Sequence, residues 1–228
     1  MKIFRNIYLV GSSHVASQSI KEVKINIETL KPDIVAIELD AGRAYAMKHN
    51  IKKQKKISLL RTLGLPGFIF YLIGEFIQKK IGKIVNIEPG SEMLTALEIA
   101  EKNKYRVVFI DRDISITLTR FSKHFRKREL LRMIMDFIFS PFKKNKFDFD
   151  ISKVPPEKMI EFVLEEAKKR YPSLYKTLIQ ERDLFMAKKL YLLSSLYPGR
   201  KIFAVVGAGH VKGIMNYLVD FPEVPKQV

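Results

Sequence analysis

The chain has 228 residues, with 41 Lys+Arg against 24 Asp+Glu and a formal net charge of +17. That length suits one α/β domain or two small ones and is enough to bury a real core. Cysteine is absent, which excludes disulfides and thiolate metal sites. The N-terminus enters a strand-like run with no small-residue cleavage site, so a cytoplasmic protein is expected.

Residues 7–10, Ile-Tyr-Leu-Val, form an apolar run suited to a buried strand, and it ends in Gly11-Ser12-Ser13-His14. A helix follows over residues 17–30, where Ile20, Val23, Ile27 and Leu30 fall on one stripe, and Lys31-Pro32-Asp33 breaks it. Residues 34–37 are β-branched and apolar, a second buried strand, ending at Glu38-Leu39-Asp40. A helix is predicted over 43–49 and another over 91–102, with Ser91 as its N-cap. Residues 106–110 read as a third strand that ends in Asp111-Arg112-Asp113. Residues 156–196 read as one or two long helices, with Pro172 as the break. A fourth strand, Ile-Phe-Ala-Val-Val, leads into Gly207-Ala208-Gly209-His210. Alternation of helices with short, non-alternating apolar strands predicts a mostly parallel central sheet covered by helices on both faces.

The middle of the chain differs. Residues 62–74 carry no charge, yet the run falls short of the ~18 apolar residues of a spanning helix and contains Pro66 and three glycines. Basic clusters flank it, and a second apolar patch covers 133–142. The expectation is one domain over 1–228, with a helical apolar insertion at about 51–88 and 121–150. That insertion reads as a cap, a homodimer face, or an element lying on an anionic membrane surface. The Lys-rich clusters read as solvated faces or as a field for anionic partners.

The four buried strands all end in polar groups: His14, Glu38 with Asp40, Asp111-Arg112-Asp113, and His210. In open α/β sheets ligands bind beyond the carboxyl ends of the strands. Adjacent strands lie ~5 Å apart, so parallel strands would gather two imidazoles and several carboxylates on one edge. Taken singly, His14 reads as a helix cap, Glu38 and Arg43 as a surface ion pair, and Asp111-Arg112-Asp113 as a structural ion-pair knot. Gly207-Ala208-Gly209 resembles an anion-cradling turn but is incomplete as a dinucleotide fingerprint. His49 and His124 have no strand end before them and stay outside the site.

Six motifs carry a family resemblance. They are Gly11-Ser-Ser-His14, Lys31-Pro-Asp-Ile-Val-Ala-Ile-Glu-Leu-Asp-Ala-Gly-Arg43, Glu88-Pro-Gly-Ser-Glu92-Met, Ile110-Asp-Arg-Asp-Ile-Ser-Ile-Thr117-Leu-Thr-Arg120, Glu181-Arg-Asp183 and Val206-Gly-Ala-Gly-His-Val-Lys-Gly213-Ile. In order and over nearly the whole chain, they resemble the TraB/PrgY family, the pheromone-shutdown proteins. The resemblance implies an α/β fold shared with Tiki proteases, erythromycin esterases and haem-binding ChaN proteins. It implies a divalent metal (manganese, cobalt or zinc) held by His14, Glu38 and His210, with Arg43, Asp111, Arg112 and Glu181 lining the site. Many longer members of the family that the chain resembles carry a membrane-spanning C-terminal half.

The leading functional expectation is a metal-dependent hydrolase acting on a peptide or other small substrate. A metal lowers the pKa of bound water towards ~7 and polarises a carbonyl. Glu38 serves as ligand or base, and Arg43 or Arg112 steadies the oxyanion. The alternative is a non-catalytic protein that sequesters a peptide, haem or anion, at a membrane surface or away from one. Nucleic-acid binding through the +17 charge is the least favoured reading, since no basic–aromatic interleaving is present.

Overall fold

In the computed structural model of the chain, the described residues are 1–12, 17–49, 51, 61, 64, 68, 71–72, 90–124, 126–139 and 157–222. Strand β1 (Lys2–Phe4) opens a hairpin into β2 (Ile7–Ser12). Helix α1 (Ser17–Leu30) leads to β3 (Ile34–Ile37) and α2 (Ala41–Lys48). After α3 (Ser91–Lys102) and β4 (Arg106–Phe109) come α4 (Ile114–His124) and α5 (Lys127–Phe139). Then α6 (Glu157–Arg170), the short α7 (Pro172–Tyr175), a π-helical turn (Lys176–Gln180) and α8 (Glu181–Leu196) precede β5 (Ile202–Gly207) and α9 (Ala208–Asp220).

The five strands form one sheet in the order β1-β2-β5-β3-β4. Among the described residues only the β1–β2 pairing is antiparallel. The last described strand inserts between the first two parallel strands: β5 pairs with β2 through Ser12 and Gly207, and with β3 through Ile37 and Val205. The ends of β2, β5, β3 and β4 therefore stand side by side along one edge.

Side-chain alternation along β5 explains the two layers. Ile202, Ala204 and Val206 face one side, where Met186, Ala187 and Leu190 of α8 and Ile214 and Leu218 of α9 meet Ile7, Leu9, Ile34 and Ala36. Phe203 and Val205 face the other, where Val23 and Ile27 of α1 and Met93, Ala96, Leu97 and Ala100 of α3 meet Val10, Val35 and Ile37. With both faces covered, every residue of β5 is buried, which is why its sequence is continuously apolar. The expected mixed α/β fold, mostly parallel and covered on two sides, is the fold observed.

The boundaries agree closely with the sequence, with four differences. The N-cap of α3 is Gly90 in the left-handed region (φ 90), and Ser91 is the first helical residue. A Cβ at Gly90 would lie 2.9 Å from Met47 Cε. Helix α2 starts two residues before the expected Arg43, because the Asp40 side chain accepts from Arg43 N and caps it. Strand β1, three residues long and mostly exposed, was not expected. The long segment before β5 does divide near Pro172, and it also contains the π-helical turn. Of the apolar run 62–74, only residues 64, 68, 71 and 72 are described, and of the expected insertion 51–88 only these with 51 and 61. Among the described residues no helix is long and apolar enough to cross a membrane.

Candidate functional site

Glu38 is the first residue past β3. Its backbone N–H continues the ladder to Val205 O (3.1 Å), and its carboxylate is buried against the end of β5, where Gly207 N–H donates to Oε2 (2.5 Å). Gly207 is also the N-cap of α9 and has no side chain to shield that N–H. His210 lies in the first turn of α9, and its Nε2 comes within 3.4 Å of Glu38 Oε1. The β4 chain prolongs its pairing through Ile110 N–H to Ile37 O (3.0 Å), which brings the buried Asp111 to the same edge.

Arg182 of α8 joins these three residues. Its Nη2 donates to Glu38 Oε1 and to Asp111 Oδ2 (2.8 Å), Nε to Asp111 Oδ1 (3.1 Å), and Nη1 to His210 Nε2 (3.1 Å) and Leu178 O (3.3 Å). Burial opposes the charge on the guanidinium, but Glu38 and Asp111 overcome it and raise its pKa above the ordinary arginine range. Arg182 therefore enters the site as a fixed cation.

Asp183, the next residue, sets the state of His210. Its Oδ1 lies 2.5 Å from His210 Nδ1. A guanidinium can only donate, so Nε2, facing Arg182, is the accepting nitrogen and Nδ1 carries the proton towards Asp183. Burial raises the Asp183 pKa, and the hydrogen bond with His210 opposes that rise. Space for Asp183 comes from Gly213, one turn further along α9: a Cβ there would stand 1.9 Å from Asp183 Oδ2. Gly11 has a related role, since its missing side chain lets α9 approach β2, and a Cβ would lie 3.0 Å from Ala208 Cα.

The remaining expected residues divide between this group and a second network. Arg43 donates through Nε to Asp40 Oδ2 (2.6 Å) and through Nη2 to Asp111 Oδ2 (2.5 Å); the partner expected for it, Glu38, pairs with Arg182 instead. With Arg112 N–H also donating to Oδ1 (2.8 Å), Asp111 accepts from three guanidinium nitrogens and a backbone amide. Those bonds fill the roughly four lone-pair sites of a carboxylate, so Asp111 acts as counter-ion to Arg43 and Arg182. The Arg112 side chain turns away from this edge. Its Nε donates to Thr117 Oγ1 (2.8 Å), Nη2 to Thr177 O (2.8 Å) and Nη1 to Glu181 Oε2 (3.1 Å). Glu181 is also gripped by Arg120 through Nε (2.7 Å) and Nη2 (3.1 Å), and Arg120 holds its pKa below the usual carboxylate range. This second network ties the end of β4 and helix α4 to the π turn and the start of α8. It thereby positions Arg182 and Asp183. Asp113 serves α4, accepting from Ser115 N–H (2.7 Å).

A family model for the TraB/PrgY/gumN family matches residues 4–220. The chain belongs to the TraB/PrgY/gumN family. An uncharacterized protein of Methanocaldococcus jannaschii is 39% identical over 93% of this chain and 53% of its own length. The human TraB domain-containing protein is 25% identical over 94% of this chain and 63% of its own, and the mouse protein matches to the same extent. The chain thus spans about half to just under two thirds of these relatives.

Of the metal ligands that the TraB/PrgY resemblance implies, Glu38 and His210 are brought together, while His14 lies outside the described residues. The donor chemistry of the pair suits a divalent ion. An imidazole whose Nδ1–H is held by a carboxylate presents Nε2 as ligands of metals do. The occupancy does not suit it, because Glu38 Oε1 and His210 Nε2 both face the Arg182 guanidinium. Among the described residues no group of three or more His, Asp or Glu side chains is arranged to hold a metal ion. As arranged around Arg182, Glu38 and His210 do not fit a metal.

Sequence reasoning about strand ends missed Arg182 and Asp183, because both enter from a helix. The available signal was the Glu181-Arg-Asp183 motif together with Gly213, whose lack of a side chain has meaning only beside a bulky polar neighbour. Near the end of β2, the buried Glu92 accepts from Ser12 Oγ (3.1 Å), tying α3 to the last residue of that strand.

Proposed function

We propose that this TraB/PrgY/gumN-family chain is a hydrolase that cleaves peptide bonds at the sheet edge formed by Glu38, Arg182 and His210. The observation that carries this reading is the buried Asp183–His210 pair, which fixes the imidazole with Nε2 as its basic nitrogen. In this reading His210 Nε2 gives up its contact with Arg182 Nη1 and takes a proton from water. The resulting hydroxide attacks the scissile carbonyl carbon. Arg182 stays anchored through Nε and Nη2 on Asp111 and Glu38, so Nη1 is left to donate to the developing oxyanion. The imidazolium, steadied by Asp183 and Glu38, returns its proton to the leaving amine. Arg43, more exposed than Arg182 or Arg112, faces incoming substrate.

The test is turnover of a peptide library by the full chain, with and without manganese, cobalt or zinc. Cleavage should fall at least a hundredfold in His210→Ala and Asp183→Asn. Cleavage unchanged in His210→Ala would refute the assignment. A second reading, capture of a peptide without cleavage, is favoured by the saturation of Asp111 and Arg182, which resembles a rigid binding floor. Tight peptide binding with no turnover under any metal would establish it over the first.

A further inference from the structure

We infer that the Arg182 guanidinium is the resident cation of this centre and competes with any divalent metal for Glu38 and His210. The inference rests on reading those two residues as the reacting centre. His210 Nε2 and Glu38 Oε1 stand 3.4 Å apart, close to the ~3 Å between two ligands that each bond one metal at ~2 Å. The guanidinium lies across that pair. Nη1 meets His210 Nε2 at 3.1 Å, Nη2 meets Glu38 Oε1, and Nη2 and Nε both engage Asp111, at 2.8 and 3.1 Å. Arginine does not deprotonate in proteins, so it leaves this position only by moving.

The surrounding charge explains why a cation is held there. Glu38, Asp40, Asp111 and Asp183 contribute four carboxylates, against the two guanidiniums of Arg43 and Arg182. Buried, net-negative clusters of this kind are costly unless a cation compensates. A divalent ion on Glu38 and His210 would face the Arg182 charge at close range, so metal can bind there only when Arg182 swings away. Metal loading and the Arg182 contacts are thus mutually exclusive, and this one side chain sets the metal affinity of the site.

The experiment is calorimetric titration of zinc ion into the full chain, into Arg182→Gln, and into the Arg182→Gln/His210→Ala double variant. Arg182→Gln should bind zinc at least tenfold more tightly than the wild type, with the gain lost in the double variant. Equal or weaker binding by Arg182→Gln overturns the inference. Should Arg182→Gln fail to fold, the Arg182 Nε–Hε resonance of the wild type provides the readout. A shift that saturates with zinc binding supports displacement, and a resonance unmoved at saturating zinc overturns it. Peptide turnover is a separate measurement: unchanged zinc affinity in Arg182→Gln beside His210-dependent cleavage refutes this inference and leaves the hydrolase reading standing. Tighter zinc binding without His210-dependent cleavage does the reverse.

Discussion

Replacing Gly213 with alanine should weaken the protein, although alanine is the better helix former. In an ordinary helix interior the exchange stabilises by ~1 kcal/mol. Here the new Cβ would stand 1.9 Å from Asp183 Oδ2 and 2.7 Å from its Cγ, so the carboxylate must retreat by more than ~1 Å to reach van der Waals distance. That movement breaks its 2.5 Å contact with His210 Nδ1. Losing a hydrogen bond to a charged group costs ~1.5–3 kcal/mol, which leaves a net loss of ~0.5–2 kcal/mol. For a chain of this size that corresponds to a fall of roughly 1–8 °C in Tm. Urea unfolding measures it as a lower midpoint at unchanged slope. The Asp183→Ser background isolates the cause, since with the carboxylate gone Gly213→Ala should be neutral or stabilising. A Gly213→Ala protein as stable as the wild type would refute the reasoning.

Two further outcomes follow from the same packing. Gly11→Ala should destabilise by ~1–3 kcal/mol, because its Cβ would meet Val211 Cγ2 at 2.8 Å and Ala208 Cα at 3.0 Å. Adding Val211→Ala relieves only the first contact, so thermal unfolding should show partial rescue, and full rescue would show that the backbone approach of α9 is not limiting. Glu181→Gln should destabilise at neutral pH and cease to matter in acid. Arg120, ahead of the opposing burial, lowers the Glu181 pKa below 4.5, so its contribution is present above that value and is lost as pH falls through the lowered folded-state pKa. Urea midpoints of wild type and Glu181→Gln should therefore converge as the pH drops from 4.5 through the lowered folded-state pKa, and a gap that widens on acidification would contradict the sign.

Much of the architecture is written locally in this sequence. The β-branched runs at 34–37 and 106–109 and the apolar stripe of α1 specify strands and a helix through side-chain period alone. The run Ile202-Phe203-Ala204-Val205-Val206 also announces its burial on both faces. The strand ends pointed to Glu38, Asp111 and His210 because a parallel sheet gathers such ends at one edge. Arg112 was legible as a polar residue at a strand end, but its direction was not. The carbonyl of Thr177 and the carboxylate of Glu181 draw it away from the edge, and both lie over sixty residues further along the chain.

Tertiary structure alone decided the rest. Periodicity fixes what a segment becomes but not which segment lies beside it, because pairing is selected by packing across the whole sheet. Insertion of β5 between β2 and β3 is what sets Gly207 N–H on Glu38 and His210 beside it. The π turn at Lys176–Gln180 and its anchoring through Arg112 bring α8 over that edge. Arg182 and Asp183, neither of them at a strand end, then became the residues that hold the centre together, since only a packed interior places a guanidinium between two carboxylates and an imidazole.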